Sequence, residues 1–273
     1  MCLKGRRLGG PRKRGRVSHA RRGTICSALD ATAVQRLHEL AQVEVVPAGR
    51  WIVHPGDAAG TVFMLRKGHA NVARVTREGK RQILAFAFPG DYFGFTFEER
   101  YVYGAWADSD VTICRLARER FDGFVDSTPG LERHLRMQLT RLLDSAQELI
   151  FTLGRKNAVE RVAAFLWYLQ YRQRKPGRER TGAAIPMSRT DIADFLGLTP
   201  ESVSRAMTRL KRDGLIRLPS PGEVEIPDLA RLRDAGVVIA EPGPATTTVA
   251  SSPAPSQPAA PAPAPRCDAG RSA

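Results

Sequence analysis

Three side chains able to read the edges of nucleic-acid bases fall within one helical turn: Glu201, Ser204 and Arg205. An arginine fork matches guanine O6 and N7, a carboxylate accepts from cytosine N4, and a serine hydroxyl suits a base edge or a thymine methyl. Residues three and four apart share a helix face, so a helix here presents all three together. Ser188, Arg189, Thr190, Ser202, Arg209 and Lys211 flank them and suit phosphate contacts, which orient a protein on a duplex without reading it. Two plainer readings stand beside this one. The face is simply solvated, or Glu201 and Arg205 form an intrahelical ion pair, which would also pre-orient the guanidinium.

The segment that must position these residues runs from Arg189 to Leu210 and has the pattern of a helix-turn-helix. Ala193 is small where the first helix meets the second. Gly197 permits the positive φ of a tight turn. Thr199 can cap the second helix, and Pro200 fits its first position. Ile192, Leu198, Val203 and Leu210 face inward, while Glu201, Ser202, Ser204, Arg205 and Arg209 are left outward. In such a unit the second helix enters the major groove N-terminus first.

Upstream, Leu135, Leu139, Leu142, Ala146, Leu149 and Leu153 are spaced alternately four and three apart, with no charge among them. A seam of two positions in seven is the pattern of a parallel dimer interface. It is narrow for ordinary core burial, although a helix lying on its own domain is the other way to cover it. A second helix is expected from Ala158 to about Tyr171, buried through Val162, Phe165, Leu166 and Leu169, then a basic loop over 172–182. A small hairpin over about 215–226 completes the unit. Residues 28–42 read as a short helix capped by Asp30. From Val43 to Leu116, short runs rich in Val, Ile and Phe are broken by glycines at 56, 68, 79 and 90, which suits a β-barrel or jelly roll. Thr76–Lys80 reads as the turn between strands Ala70–Val75 and Gln82–Phe88.

Charge is unevenly placed. Residues 1–26 carry nine Lys or Arg and no acid, residues 27–154 are near neutral, and residues 155–240 carry an excess of six positive charges. Such a distribution suits a polyanion, or serves only solubility. The basic arm and the proline-rich stretch from Glu241 are both expected to be disordered. Residues 1–26 lack the apolar run of a secretory leader, and no stretch is apolar enough to span a membrane. The four cysteines, Cys2, Cys26, Cys114 and Cys267, form no close pair, which fits a reducing cytoplasm. The five histidines are scattered, with His54 and His69 expected on strands at the surface. No catalytic order, metal-ligand spacing or phosphate loop indicates an enzyme.

The order of parts resembles the Crp/Fnr superfamily across residues 28–228. The resemblance is carried by Pro55-Gly-Asp, Gly68, Pro89-Gly-Asp-x-x-Gly94, the seam helix, the run from Gly154 to Leu166, and the run from Met187 to Thr199. Glu201-Ser-Val-Ser-Arg205 resembles the E-x-x-S-R signature of the Fnr and FixK branch, which implies Glu201, Ser204 and Arg205 as readers of TTGAT-type half-sites in a palindrome. It also implies a sensing β-roll, control of oxygen- or nitrogen-linked genes, and contact with RNA polymerase through surface loops such as Glu78–Gln82. The expected fold class is therefore α+β: a cyclic-nucleotide-binding-like β-roll (jelly roll), a long dimerisation helix and a winged helix-turn-helix. The expected boundaries are a basic arm at 1–27, the roll at 28–129, the dimerisation helix at 130–155, the DNA-binding unit at 156–230 and a tail at 241–273. The expected partners are double-stranded DNA and a second copy of the chain.

Two effector sites of the superfamily are matched poorly. Cyclic-nucleotide members carry an acidic residue directly after the cassette glycine and a later arginine; the run from Phe93 to Trp106 has neither, and Arg100 lies on a different register. Cyclic AMP is therefore not expected. Iron–sulfur members use three closely spaced N-terminal cysteines and one in the roll. Cys26 and Cys114 match one of each, but Ser18, His19 and Ala20 stand where others are needed, and a cluster usually needs four thiolates. Cys114 suits a buried, inert role, and a redox-active Cys26–Cys114 pair is the alternative. The departures favour a FixK-like regulator without its own cofactor. A direct redox, iron–sulfur, haem or nitric-oxide sensor with DNA binding as its output is the second reading.

Overall fold

The computed structural model describes Ile25, residues 29–173 and residues 182–238. Cys2, Cys26, Cys267, the basic arm, the proline-rich tail and most of the 172–182 loop lie outside the described residues. In chain order the elements are α1 (Ala31–Leu40), β1 (Gln42–Val46), β2 (Trp51–Val53), β3 (Thr61–Lys67), β4 (Ala70–Val75), β5 (Arg81–Ala87), β6 (Tyr92–Phe93), β7 (Gly104–Ala107) and β8 (Val111–Ala117). They continue with α2 (Arg118–Asp126), α3 (Leu131–Arg155), α4 (Ala158–Gln173), β9 (Gly182–Ala184), α5 (Arg189–Leu196), α6 (Pro200–Arg212), β10 (Glu223–Glu225) and α7 (Leu229–Ala235).

The glycine-punctuated half forms two antiparallel four-stranded sheets, in the orders β1-β8-β3-β6 and β2-β7-β4-β5. Gly56, Gly68, Gly79 and Gly90 all have positive φ at its turns. At Gly68 a Cβ would collide with the Asp110 carbonyl. Strand β3 shows why these strands read as continuous apolar runs. Phe63 and Leu65 point between the sheets, whereas Val62 and Met64 point outward beneath α1, α2 and the start of α3, so both faces are buried. Asp30 caps α1 by accepting from the Ala33 N–H at 2.7 Å. The Thr76–Lys80 turn closes on a 2.8 Å bond from the Thr76 N–H to the Lys80 carbonyl.

A second core lies between the β4–β5 hairpin and the C-terminal helices. Ala73, Ile83 and Phe86 of the roll pack with Phe165, Ile192, Leu196 and their neighbours, and the Phe86 ring lies 5.1 Å from that of Phe195. Around this contact Arg81 pairs with Asp191 at 2.7 Å and Asp194 at 2.5 Å, and Arg172 pairs with Asp91 at 2.5 Å. Gln82 Nε2 donates to the Phe195 carbonyl at 3.1 Å. Arg81 and Gln82 are thus turned into the molecule, which leaves Glu78, Gly79 and Lys80 as the exposed part of the loop expected over Glu78–Gln82. Replacing Arg81 by Ala leaves two carboxylates, one of them buried, without their cation. Charged hydrogen bonds of this kind contribute about 1.5–3 kcal/mol each. We expect a lower urea midpoint, by about 2–3 kcal/mol of unfolding free energy, and an unchanged midpoint would remove this role.

Three features differ from the sequence reading. The hairpin expected near 215–226 is a wing of another kind: β10 pairs with β9, which precedes the helix-turn-helix, and only an isolated bridge joins Arg217 to Glu225. The DNA-binding unit does not stop at 230, because α7 buries Leu232 in the same core and Gly236 lies so close to Ala164 of α4 that a Cβ would clash. Neither His54 nor His69 lies on a strand: His69 is half-buried between β3 and β4 and pairs with Asp108 at 3.0 Å, whereas His54 follows β2 and is exposed. Among the described residues no helix is long and apolar enough to cross a membrane.

Candidate nucleic-acid interface

Helix α5 begins with a reciprocal cap. Ser188 Oγ accepts from the Asp191 N–H at 3.0 Å, and Asp191 accepts from the Ser188 N–H at 3.2 Å and hydroxyl at 2.6 Å. It ends at Gly197, which adopts the left-handed conformation with φ 60° and ψ 43°, and the Leu198 N–H closes the turn on the Ala193 carbonyl at 3.0 Å. Thr199 then caps α6 by accepting from the Ser202 N–H at 3.2 Å, with Pro200 at the first helical position. Val203, Ala206, Met207 and Leu210 are buried at helical spacing. The opposite face is therefore the free one.

On that face Glu201, Ser204, Arg205, Thr208, Arg209 and Arg212 are exposed, and the last five line a shallow groove of about 300 Å³. Arg205 turns its guanidinium to Ser202 Oγ at 3.1 Å and leaves Glu201 one turn away, so the intrahelical pair considered from spacing is not the contact made. Hydrogen bonds from its own backbone N–H and the Thr199 hydroxyl hold the Glu201 carboxyl below the usual range, and Arg205 adds to this. It is thus an acceptor at neutral pH, as reading cytosine N4 requires. Ser204 Oγ donates to the Pro200 carbonyl at 2.9 Å, which leaves its lone pairs outward.

The expected phosphate contacts are less uniform. Ser202 is half-buried and lies against Thr199 and Arg205, not outward as expected. Ser188 is engaged in the α5 cap. Arg189 is half-buried, and burial lowers its pKa from the ordinary arginine value. Thr190 and Lys211 are exposed. Arg209 pairs with Asp213 at 2.7 Å, which holds that carboxyl low. Sequence reading passed over Thr208 and Arg212, although both follow Ser204 at successive steps of four and so share its face.

On α3, the six seam residues fall into two sets. Leu139, Leu142 and Ala146 are exposed, whereas Leu135, Leu149 and Leu153 are half-covered by their own chain. Leu143 and Ile150, absent from the heptad reading, are 58 % and 71 % exposed, so the open apolar stripe is wider than the seam and shifted toward them.

The roll interior is filled by rings. Phe63 stacks on Phe93 at 5.2 Å, and Tyr101 lies 5.8 Å from Tyr103. Tyr101 bridges the Thr61 backbone, donating to its carbonyl and accepting from its N–H. Tyr103 Oη accepts from the Gly94 N–H at 2.9 Å, and Arg100 is spent on the Gly56 carbonyl at 2.7 Å. Cys114 is fully buried on β8. Among the described residues no cluster of three or more His, Cys, Asp or Glu is placed to hold a metal.

Residues 43–128 match the model of a cyclic nucleotide-binding domain, and residues 160–235 that of a Crp-like helix-turn-helix domain. The chain is 34 % identical over 214 residues to the nitrogen fixation regulation protein FixK of Bradyrhizobium diazoefficiens, covering 78 % of this chain and 89 % of the relative. It is 36 % identical over 211 residues to the transcriptional activatory protein AadR of Rhodopseudomonas palustris, covering 77 % and 85 %. The structure of FixK2 from Bradyrhizobium japonicum is similar with a TM-score of 0.67 at 29 % identity, over 73 % of this chain and 99 % of that one.

Proposed function

Because this chain belongs to the Crp/Fnr family of DNA-binding transcription regulators, we propose that it acts as a dimer on a TTGAT-type palindrome, with Glu201, Ser204 and Arg205 as the base readers in each half-site. The observation that carries this reading is α6 itself: one face sealed in the core, the other offering Glu201, Ser204 and Arg205 together. Ser188, Arg189, Thr190, Arg209 and Lys211, joined by Thr208 and Arg212, supply the phosphate-facing rim. The open stripe on α3 pairs two protomers and sets two α6 helices about 34–36 Å apart, one turn of duplex. The protein works in the cytoplasm and meets RNA polymerase through the exposed tip Glu78–Lys80. Its targets are oxygen- or nitrogen-linked genes, in keeping with relatives described as nitrogen fixation regulators.

In this reading the roll takes no cyclic nucleotide. A phosphate in the cassette would need a cation; the run from Phe93 to Trp106 offers only Arg100, which is turned to the Gly56 carbonyl, while Tyr103 Oη accepts from the Gly94 N–H. An iron–sulfur cluster usually needs four thiolates, and Cys114, the one cysteine among the described residues, is buried among apolar side chains. We therefore read the protein as FixK-like, active without a bound cofactor. The test is to purify it without oxygen, record the visible spectrum and iron content, and titrate it onto a TTGAT–ATCAA duplex before and after air, with and without cyclic AMP. The expected result is a colourless protein with the same affinity throughout. An absorbing, iron-containing protein that loses affinity in air would make it a direct sensor, and a gain in affinity with cyclic AMP would overturn the assignment of the roll.

A further inference from the structure

One guanidinium joins the end of the dimer helix to the turn of the helix-turn-helix. Arg161 leaves the first turn of α4. Its Nε donates to the Lys156 carbonyl at 2.9 Å, one Nη to the Leu153 carbonyl at 2.8 Å, and the other to the carbonyls of Leu196 at 2.8 Å and Gly197 at 3.4 Å. Leu153 lies in the last turn of α3, and Leu196 is the last residue of α5. Helix C-terminal carbonyls have no partner within their own helix and carry partial negative charge, so a cation placed between two such ends satisfies both. The packing agrees: a Cβ built on Gly197 would lie 3.5 Å from both Arg161 Nη1 and Leu153 Cδ2, so the turn rests directly against the end of α3. Beside it, the buried Lys156 is tied back to Glu148 of α3 at 2.8 Å, which fixes the linker that Arg161 also grips.

The consequence is geometric. In the dimer proposed above, α3 is held by its partner, and Gly197 is the turn from which α6 departs. Helix α6 has 13 residues and so is about 20 Å long. A swing of about 10° at the turn moves its far end by roughly 3 Å, close to one base-pair step, and the two protomers swing together. Arg161 touches no base and no phosphate in this reading. We propose that it is the positioning residue that sets which spacing between half-sites the dimer accepts.

This inference rests on the palindrome reading, and the test separates the two. Full-length protein is titrated by fluorescence anisotropy onto TTGAT–ATCAA duplexes carrying the best spacer, and the same spacer lengthened or shortened by a single base pair. Wild type is expected to prefer the best spacer by about tenfold, the scale of one mismatched pair. Arg161→Lys keeps the charge but lacks the fork needed to reach carbonyls on three segments at once. Arg161→Lys and Arg161→Gln are both expected to bring that preference down to about twofold, with unchanged mass by light scattering, unchanged helicity and unchanged affinity for unrelated DNA. Variants that bind more weakly but keep the wild-type preference would reduce Arg161 to a support of the fold and overturn the proposal. So would a wild type indifferent to spacing. A wild type that binds none of the palindromes, or is a monomer, would instead bring down the functional reading together with this one.

Discussion

Arg205→Ala is expected to cut the preference for the palindrome over unrelated DNA sharply while leaving the fold and the dimer intact. The side chain is exposed, it bonds to Ser202 Oγ among the described residues, and alanine is the best helix former, so α6 loses little on the substitution. A bidentate arginine–guanine contact is worth about 1–3 kcal/mol of discrimination, and a dimer makes it twice. Specific affinity should therefore fall by roughly a hundredfold or more, against a few-fold on non-specific DNA. Arg212 supplies the contrast. It lines the same groove further along α6, where a phosphate contact is expected. Arg212→Ala should weaken both DNAs alike and make binding less salt-dependent, by about one counterion for each phosphate that loses its guanidinium. Equal losses on specific and unrelated duplexes for Arg205→Ala would take away its role in base readout.

How far the site was legible follows from how local each constraint is. Gly197, Thr199 and Pro200 specify a turn and a cap by their own backbone preferences, and Ala193 and Val203 by size, so the start of the helix-turn-helix and its turn could be placed, while α6 runs two residues past Leu210. The wing could not, because β9 is three residues long and its partner β10 lies beyond both helices of the motif. A strand that short has no alternation to read. Ser202 looked outward by helical spacing, but the Thr199 cap and Arg205 draw it in. Arg81 and Gln82 sit in a sequence that reads as an exposed hairpin, and only the fold brings Asp191, Asp194 and the Phe195 carbonyl against them. The filled roll is a similar case. Tyr101 and Tyr103 lie in the run from Phe93 to Trp106, but nothing in their spacing says that their hydroxyls bond the backbone of Thr61 and Gly94.

The register of the dimer seam is the part where spacing and structure divide, and a pair of substitutions decides between them. The heptad reading runs the interface along Leu135, Leu139, Leu142, Ala146, Leu149 and Leu153, but Leu135, Leu149 and Leu153 are half-covered by their own chain, and Leu143 and Ile150 stand open instead. Exposed apolar side chains gain about 1.5–3 kcal/mol each on full burial, and each enters twice across a two-fold axis. An aspartate there removes that gain and sets two like charges in a dehydrated interface. Leu142 is 61 % exposed and Ile150 71 % exposed, so each can be changed without disturbing the protomer's own core. Leu142→Asp and Ile150→Asp are each expected to give a folded monomer at micromolar concentration, and with it a loss of palindrome binding of at least about a thousandfold. Leu131→Asp, at a fully buried position of the same helix, should unfold the roll instead, which marks off loss of folding from loss of pairing. If Leu142→Asp dissociates the dimer and Ile150→Asp does not, the contact follows the heptad seam and α3 rotates when it pairs. If neither changes the mass in solution, α3 is not the dimer interface, and the spacing of the two recognition helices must be set elsewhere.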